Sequence, residues 1–153
     1  MTAAQPTPEA QFSALLSRFP SGIVALVNQS LLKLRRALPG TYELVYDYSE
    51  SLVVSYSMSG RGYEATVAVA IFPTLVRLYF DKSVPDPKGL LEGDGSKVRS
   101  VILESASELD HGDIKALLEA AIEHSGVTFP RTGATRMVIK SSKKRAAKKS
   151  RRD

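Results

Sequence analysis

The chain has 153 residues, of which 43% are hydrophobic and 24% are charged, a balance typical of one globular domain. It contains no cysteine, which excludes disulfide scaffolds, thiolate zinc sites and cysteine nucleophiles. The net charge of +5 is unevenly spread: residues 131–153 hold ten Lys or Arg and one acid, so residues 1–130 are mildly acidic.

No apolar run in the sequence is long enough for a membrane span. The first fifteen residues also lack the basic start and apolar stretch of a signal peptide. We therefore expect a cytoplasmic protein that does not associate with a membrane.

Helical periodicity predicts two helices at the start of the chain. Thr7 has the position of an N-cap, Pro8 fits the first helical turn, and apolar residues then recur every three or four positions. Pro20 ends this helix. Ser21 is placed to cap a second helix, which Pro39-Gly40 terminates.

The apolar period then changes from 3.6 to 2, which is typical of strands. Short turns separate the successive alternating segments, and such turns favour an antiparallel meander over parallel crossovers. A short last strand at a sheet edge also fits residues 134–140. The other predicted strands cover residues 42–48, 51–58, 65–72, 75–80 and 98–104.

A third helix opens at Asp110 or His111 and stops before Gly126. Helices before and after a run of strands predict a two-layer α+β domain, with an antiparallel sheet of about five strands and the helices packed on one face. We expect residues 8–140 to form this single domain, between a disordered N-terminus at 1–7 and a disordered basic tail at 141–153.

The sheet face away from the helices is predicted to be half polar, as the open face of an antiparallel sheet often is. The residues expected in the core are Leu44, Leu52, Val76, Leu78 and Phe80. The residues expected on the opposite face are Glu43, Asp47, Ser55, Ser57, Arg77, Tyr79 and Ser100.

Residues 81–97 form a long segment rich in Pro and Gly, and connections of this length are often functional. Leu90 and Leu91 in its middle predict that it is pinned to the body like an Ω-loop. Glycine N–H groups beside positive charges suit a phosphate or carboxylate, although a turn-rich loop with solvated lysines has the same composition. The predicted ligand-binding residues are Arg77, Tyr79, Lys88, Gly93, Gly95, Lys97 and Arg99.

The C-terminal tail concentrates seven cations within ten residues. Such a run can bind nucleic acid through counterion release, although it can also serve only to keep the chain soluble. Because no aromatic residue follows Phe129, the tail cannot stack on bases, and its binding should be insensitive to sequence. The seven are Lys143, Lys144, Arg145, Lys148, Lys149, Arg151 and Arg152.

Metal and catalytic patterns are sparse in the sequence. His111 and His124 lie about three and a half helical turns apart if both are helical, too far to share one ion. Glu119 and Glu123 are spaced i, i+4 and could hold a hard cation weakly. There is no nucleophile elbow, and neither histidine has the context of a catalytic triad. We expect no cofactor, and an enzyme is the least favoured function because the sequence shows no nucleophile or acid–base pair.

Two segments resemble the YdhG-like domain family, catalogued as the domain of unknown function number 1801. They read TYELVYD at residues 41–47 and VPDPKGLLEGDGSKVR at residues 84–99, and the similarity runs from about residue 30 to residue 125. The resemblance implies an α+β domain with an antiparallel sheet and no established activity. One bacterial branch has been described as a frataxin-like iron chaperone. That branch makes iron binding an alternative, through Glu108, Asp110, Asp113, Glu119 and Glu123.

The leading hypothesis from the sequence is a binding domain that recognises a small anion near the 81–97 loop, against the open sheet face. Sequence-independent association with nucleic acid through the tail is the first alternative. Iron binding is the second.

Overall fold

In the computed structural model, residues 6–93, 97–130 and 132–141 are described. The helices within them are α1 (Pro8–Leu16), α2 (Ser21–Ala37) and α3 (Gly112–His124). The strands are β1 (Tyr42–Asp47), β2 (Leu52–Ser57), β3 (Val67–Ile71), β4 (Val76–Asp81), β5 (Val98–Leu103) and β6 (Arg136–Ser141). Short 3-10 turns cover Gly62–Glu64 and Ala106–Leu109.

The strands form one sheet of order β5-β4-β3-β2-β1-β6. The first five make the predicted antiparallel meander, so the α+β prediction is confirmed. The sixth strand lies at the sheet edge, as its sequence suggested, but it runs parallel to β1. Its parallel direction follows from the return of the chain through α3 before it reaches the sheet again.

The helices cover one face of the sheet, which we call the helix face. The core joins apolar side chains of all three helices to alternate residues of the strands, including Leu34, Leu118, Val54, Leu78 and Phe80. Val54, Leu78 and Leu34 are fully buried. Removing this apolar surface from water is the dominant favourable term in the folding of the domain.

The facing of β1 was predicted wrongly. Glu43 lies opposite Tyr56 and points to the helix face, whereas Leu44 lies opposite Ser55 and points away from the helices. Asp47 also points to the helix face, because it lies four residues after Glu43 on the same strand. The prediction assumed that charged residues face water, but hydrogen bonds in the interior can satisfy a buried carboxylate, as they do here for Glu43.

The helix ends agree with their sequence signals except at two points. The Thr7 side chain accepts a hydrogen bond from the Ala10 N–H at 3.1 Å, which confirms the predicted N-cap. α1 ends at Leu16, short of the predicted stop before Pro20. Pro20 rather than Ser21 is the N-cap of α2, and it makes no side-chain capping bond.

β6 includes Ser141, a residue that the sequence had assigned to the tail. The rest of the predicted basic tail, residues 142–153, lies outside the described residues, as do residues 1–5 of the predicted N-terminal segment. Within the part of the chain that the structure describes, no helix is long and apolar enough to cross a membrane.

Candidate functional site

The sheet face away from the helices, here the open face, is built from side chains that cross the strands in rows, because directly paired residues share a face. One row from β6 to β5 contains Val138, Leu44, Ser55, Ala68, Tyr79 and Ser100. The neighbouring row contains Lys140, Tyr46, Val53, Ala70, Arg77 and Ile102.

The loop between β2 and β3 lies over the β1 side of the open face. Gly62 is so close to Tyr46 that a Cβ atom at residue 62 would come within 2.3 Å of the tyrosine hydroxyl oxygen. Gly60 lies beside the ring of Tyr42, and its carbonyl oxygen is 3.5 Å from Lys140 Nζ. Leu44, which is only 1% exposed, lies on β1 between the two tyrosines. The part of the open face left for a small ligand is therefore the β3–β5 side.

Arg77 is the cation on that side of the open face. Its Nη1 donates to Ser100 Oγ at 3.1 Å and lies 3.3 Å from Glu92 Oε1. The Arg77 side chain is 27% exposed and that of Glu92 is 63% exposed, so this ion pair is in contact with solvent. The residue paired with Arg77 on β3 is Ala70, which has a small side chain.

Tyr79 is the second predicted residue in this region. It lies on β4 two residues from Arg77, on the same face, between Ala68 of β3 and Ser100 of β5. The combination of a planar cation, a phenol and small neighbouring side chains is suited to a small ligand with an anionic group.

The long loop after β4 is pinned as predicted. Val84 and Leu91 belong to the buried core, and Leu90 packs against it. The carboxylate of Asp86 accepts hydrogen bonds from the N–H groups of Leu90 and Leu91, both at 2.9 Å. These two N–H groups are therefore already occupied by a carboxylate of the same loop and are not offered to a ligand.

The structure does not bring Arg77 and Arg99 together. Arg77 lies opposite Ile102 on the open face, whereas Arg99 lies opposite Phe80 on the helix face. Lys88 is also elsewhere: its Nζ donates to Asp113 at 2.8 Å at the start of α3, and this hydrogen bond raises the pKa of Lys88. The predicted cations therefore do not form one cluster, and Arg77 and Arg99 are separated because alternate residues of β5 point to opposite faces.

The remaining predicted residues do not add to the Arg77 region. Gly93 is exposed with a φ of 112°, a conformation that favours glycine. Lys97 is exposed just before β5, where its carbonyl oxygen accepts a hydrogen bond from the Lys82 N–H at 2.8 Å. Gly95 lies outside the described residues.

A buried polar cluster on the helix face was not predicted. Glu43, only 2% exposed, accepts hydrogen bonds from Arg35 Nε at 2.8 Å and from the Tyr56 hydroxyl at 2.6 Å. Thr135 Oγ1 lies 3.4 Å from the other carboxylate oxygen. Burial and the adjacent carboxylate raise the pKa of Tyr56 well above its ordinary value. Because groups of the same chain fill this cluster, it ties α2 and the start of β6 to the sheet.

A serine and a histidine meet at the surface, also without having been predicted. Ser83 Oγ lies 2.7 Å from His124 Nε2 and donates its proton to the carboxylate of Asp81. These hydrogen bonds from Ser83 lower the pKa of Asp81. Because a hydroxyl has a single proton, His124 must donate to Ser83 rather than accept from it. The arrangement is the reverse of an activated nucleophile, in which the histidine accepts the serine proton.

Three of the five acids considered for iron have partners within the chain. Glu108 Oε1 accepts from the N–H groups of Glu104 and Ser105 at 2.7 and 3.0 Å, in a capping box. Asp110 pairs with Lys33, which lowers the pKa of that carboxyl, and Asp113 pairs with Lys88. The other two, Glu119 and Glu123, are exposed on α3. Among residues 6–93, 97–130 and 132–141, no three His, Asp or Glu side chains form a group suited to a metal ion.

An open cleft of about 380 Å³ lies at the end of the sheet where α1 meets the β1–β2 and β3–β4 turns. Its charged residues are Arg18 and Glu50, and Phe19 and Phe72 supply apolar surface. The Arg18 side chain is held by Asp47 at 3.1 Å and lies over the Phe19 ring. None of the residues that line the cleft is Arg77, Tyr79, Glu92 or Ser100, so the cleft and the Arg77 region share no residue.

Comparison with known proteins adds no relative: no family model, curated protein or solved structure matches the chain. The resemblance to the YdhG-like family stays a prediction.

Proposed function

We propose that this chain is a non-enzymatic binding domain that takes a small anion, a phosphate or carboxylate group, on the open face beside Arg77. The observation that carries the proposal is the position of Arg77. Its guanidinium is oriented by Ser100, is partly exposed, and lies beside small side chains of β3. A planar guanidinium presents paired N–H donors to an oxyanion, which a lysine in the same place would not.

The contact between Arg77 and Glu92 supports an exchangeable site. Its length of 3.3 Å exceeds the roughly 2.7–2.9 Å of a strong charge-assisted hydrogen bond. Exposed ion pairs of this kind contribute about 0–1 kcal/mol, so a ligand anion can displace Glu92 at small cost. The Ser100 hydroxyl would keep the guanidinium oriented after that exchange.

The test is a titration of the full chain with inorganic phosphate, followed by calorimetry and by NMR of the backbone amides. We expect saturable binding with the largest amide shifts at Tyr79, Glu92 and Ser100. Arg77→Gln should abolish it. Arg99→Gln is the matched control, because it removes the same charge from the opposite face of the sheet.

Two outcomes would contradict the proposal. One is the absence of saturable binding by the unaltered chain at millimolar phosphate. The other is an equal loss in the Arg77→Gln and Arg99→Gln variants, which would indicate a general effect of net charge rather than a site.

A second candidate function is the sequence-independent association with nucleic acid that the tail composition predicts. One observation favours it: β6 places Arg136 and Lys140 on the open face immediately before the tail begins. Its test is fluorescence anisotropy of a labelled oligonucleotide with the full chain and with a variant in which the seven tail cations are changed to Gln. We expect the variant to lose binding; unchanged binding would remove this function.

A further inference from the structure

We propose that the nucleic-acid contact extends from the tail onto the folded domain, through a basic patch formed by Arg61, Arg136 and Lys140. We call these three residues the β6 patch. The inference rests on the second candidate function, because the tail is its first point of contact. The partner is identified by chemistry as the phosphate backbone of a single-stranded nucleic acid.

The edge strand supplies two of the three cations. Arg136 and Lys140 both point to the open face, with Val138 between them on the same side. Four residues of strand separate their Cα atoms by roughly 13 Å. Ser141, the next residue, ends the strand, so the tail begins beside Lys140. In the chain, the cations of the strand are therefore followed directly by those of the tail.

The loop over the open face supplies the third cation. Gly60 is held near Lys140 by the 3.5 Å contact to its carbonyl oxygen, and Arg61 is the next residue. The Arg61 side chain is 64% exposed, and its ion pair with Glu64 has a length of 4.0 Å. At that distance and exposure the pair contributes little, so Arg61 is available to a phosphate. The loop therefore brings a third positive charge to the corner where the tail starts.

An aromatic ring in the patch favours nucleic acid over an anionic lipid surface. The Arg136 guanidinium carbon lies 5.8 Å from the centre of the Tyr42 ring. Guanidinium planes and tyrosine rings are the groups on which single-stranded bases stack. A membrane anchor needs large apolar side chains next to its cations, and the tail has only alanines as apolar residues.

The experiment measures the anisotropy of a labelled 20-nucleotide single strand across a salt series with four forms of the full chain. These are the unaltered chain, the tail variant with its seven cations changed to Gln, the patch variant Arg61→Gln/Arg136→Gln/Lys140→Gln, and a control variant. The control, Arg36→Gln/Arg99→Gln/Lys115→Gln, removes the same charge from three exposed positions on α2, β5 and α3.

The plot of log K against log salt has a negative slope, and we expect this slope to be shallower by about 2 in the patch variant. The reason is that each phosphate contact with a single strand contributes about 0.7 to its magnitude. The control variant should keep the slope of the unaltered chain. The single change Arg136→Gln should make the slope shallower by about 0.7. Because Arg136 is exposed, this variant should fold normally, so it tests the patch even if the triple variant misfolds.

The failures of the two ideas are distinguishable. Loss of binding in the tail variant, with equal slopes for the patch and control variants, would overturn the inference and leave the tail acting alone. Unchanged binding by the tail variant would overturn the nucleic-acid function itself. A patch effect seen on vesicles of anionic phospholipid but not on the oligonucleotide would also overturn the inference, because it would identify a lipid surface as the partner.

Discussion

The two faces of the sheet each carry an arginine, a carboxylate and a hydroxyl, and the two sets behave differently. On the helix face, Arg35 and the Tyr56 hydroxyl hold Glu43 at 2.8 and 2.6 Å, and the carboxylate is 2% exposed. On the open face, Arg77 contacts Glu92 at 3.3 Å and Ser100 at 3.1 Å, and Glu92 is 63% exposed.

The contrast shows that burial of the carboxylate, not the residue types, separates a structural cluster from a candidate site. A buried carboxylate has no water to replace a lost partner, so its partners are fixed. An exposed carboxylate exchanges with water or with a ligand anion at little cost. The same three kinds of group therefore stabilise the fold on one face and form the proposed binding position on the other.

The largest expected effect is on stability, and it compares the loss of the buried carboxylate with the loss of the exposed one. Glu43→Ala leaves the Tyr56 hydroxyl and the Arg35 guanidinium without their acceptor, and we expect a loss of about 3 kcal/mol in the free energy of unfolding. Glu92→Ala should cost about 0.5 kcal/mol or less. Urea unfolding followed by circular dichroism measures both. Equal losses would show that the two clusters do not differ in kind.

A second prediction concerns how the stability contributed by the buried cluster changes at alkaline pH. Because the folded state raises the pKa of Tyr56 above its ordinary value of 10.0, the native protein holds this proton more tightly than the unfolded chain does. The resulting stability is fully present below pH 10 and falls as the pH rises above it.

Tyr56→Phe tests this sign. At neutral pH the variant should lose about 1–2 kcal/mol, since Glu43 loses a donor. Above pH 10 its stability should decline less steeply than that of the unaltered chain. Urea unfolding at a series of pH values from 8 to 11 measures the slopes, and identical slopes would assign the alkaline dependence to other groups.

The smallest expected effect concerns the affinity of the open face for phosphate. Glu92→Gln removes the negative charge that competes with a ligand for Arg77, so we expect phosphate to bind roughly threefold more tightly, a gain of less than 1 kcal/mol. The same calorimetric titration measures it. Weaker binding would indicate that Glu92 orients Arg77 rather than competing for it.

Much of the fold could be predicted from the sequence because its signals are local. The N-cap at Thr7 and the alternation in β2 act over a few residues, and the structure has both. The direction of β6 depends on where the chain returns after α3, a non-local fact that its own sequence does not contain. The facing of β1 could not be predicted either. Leu44 and Val45 are consecutive apolar residues that point to opposite faces, so apolar character does not select one face, and the hydrogen-bond partners of Glu43 lie on other elements.

The candidate site could be predicted in part. Arg77 and Tyr79 are two positions apart on one strand, so the strand period of two predicts that they share a face. Whether Arg99 shares that face could not be predicted, because its strand neighbours do not indicate a register. Sequence alone also gave no sign that Asp86 would occupy the amides of Leu90 and Leu91, because that interaction depends on the conformation of the loop.

The position of β6 has a consequence for the order in which the protein folds. The pairing of Tyr42 with Arg136 joins the start of the first strand to the start of the last one, so it closes a long loop that contains β2 to β5 and α3. Loop closure of that size is slow compared with the formation of the β1–β5 hairpins. During synthesis on the ribosome, the outer edge of β1 therefore stays unpaired until nearly the whole domain has emerged. An open strand edge is a template for pairing with another chain, so self-association is most probable during this interval.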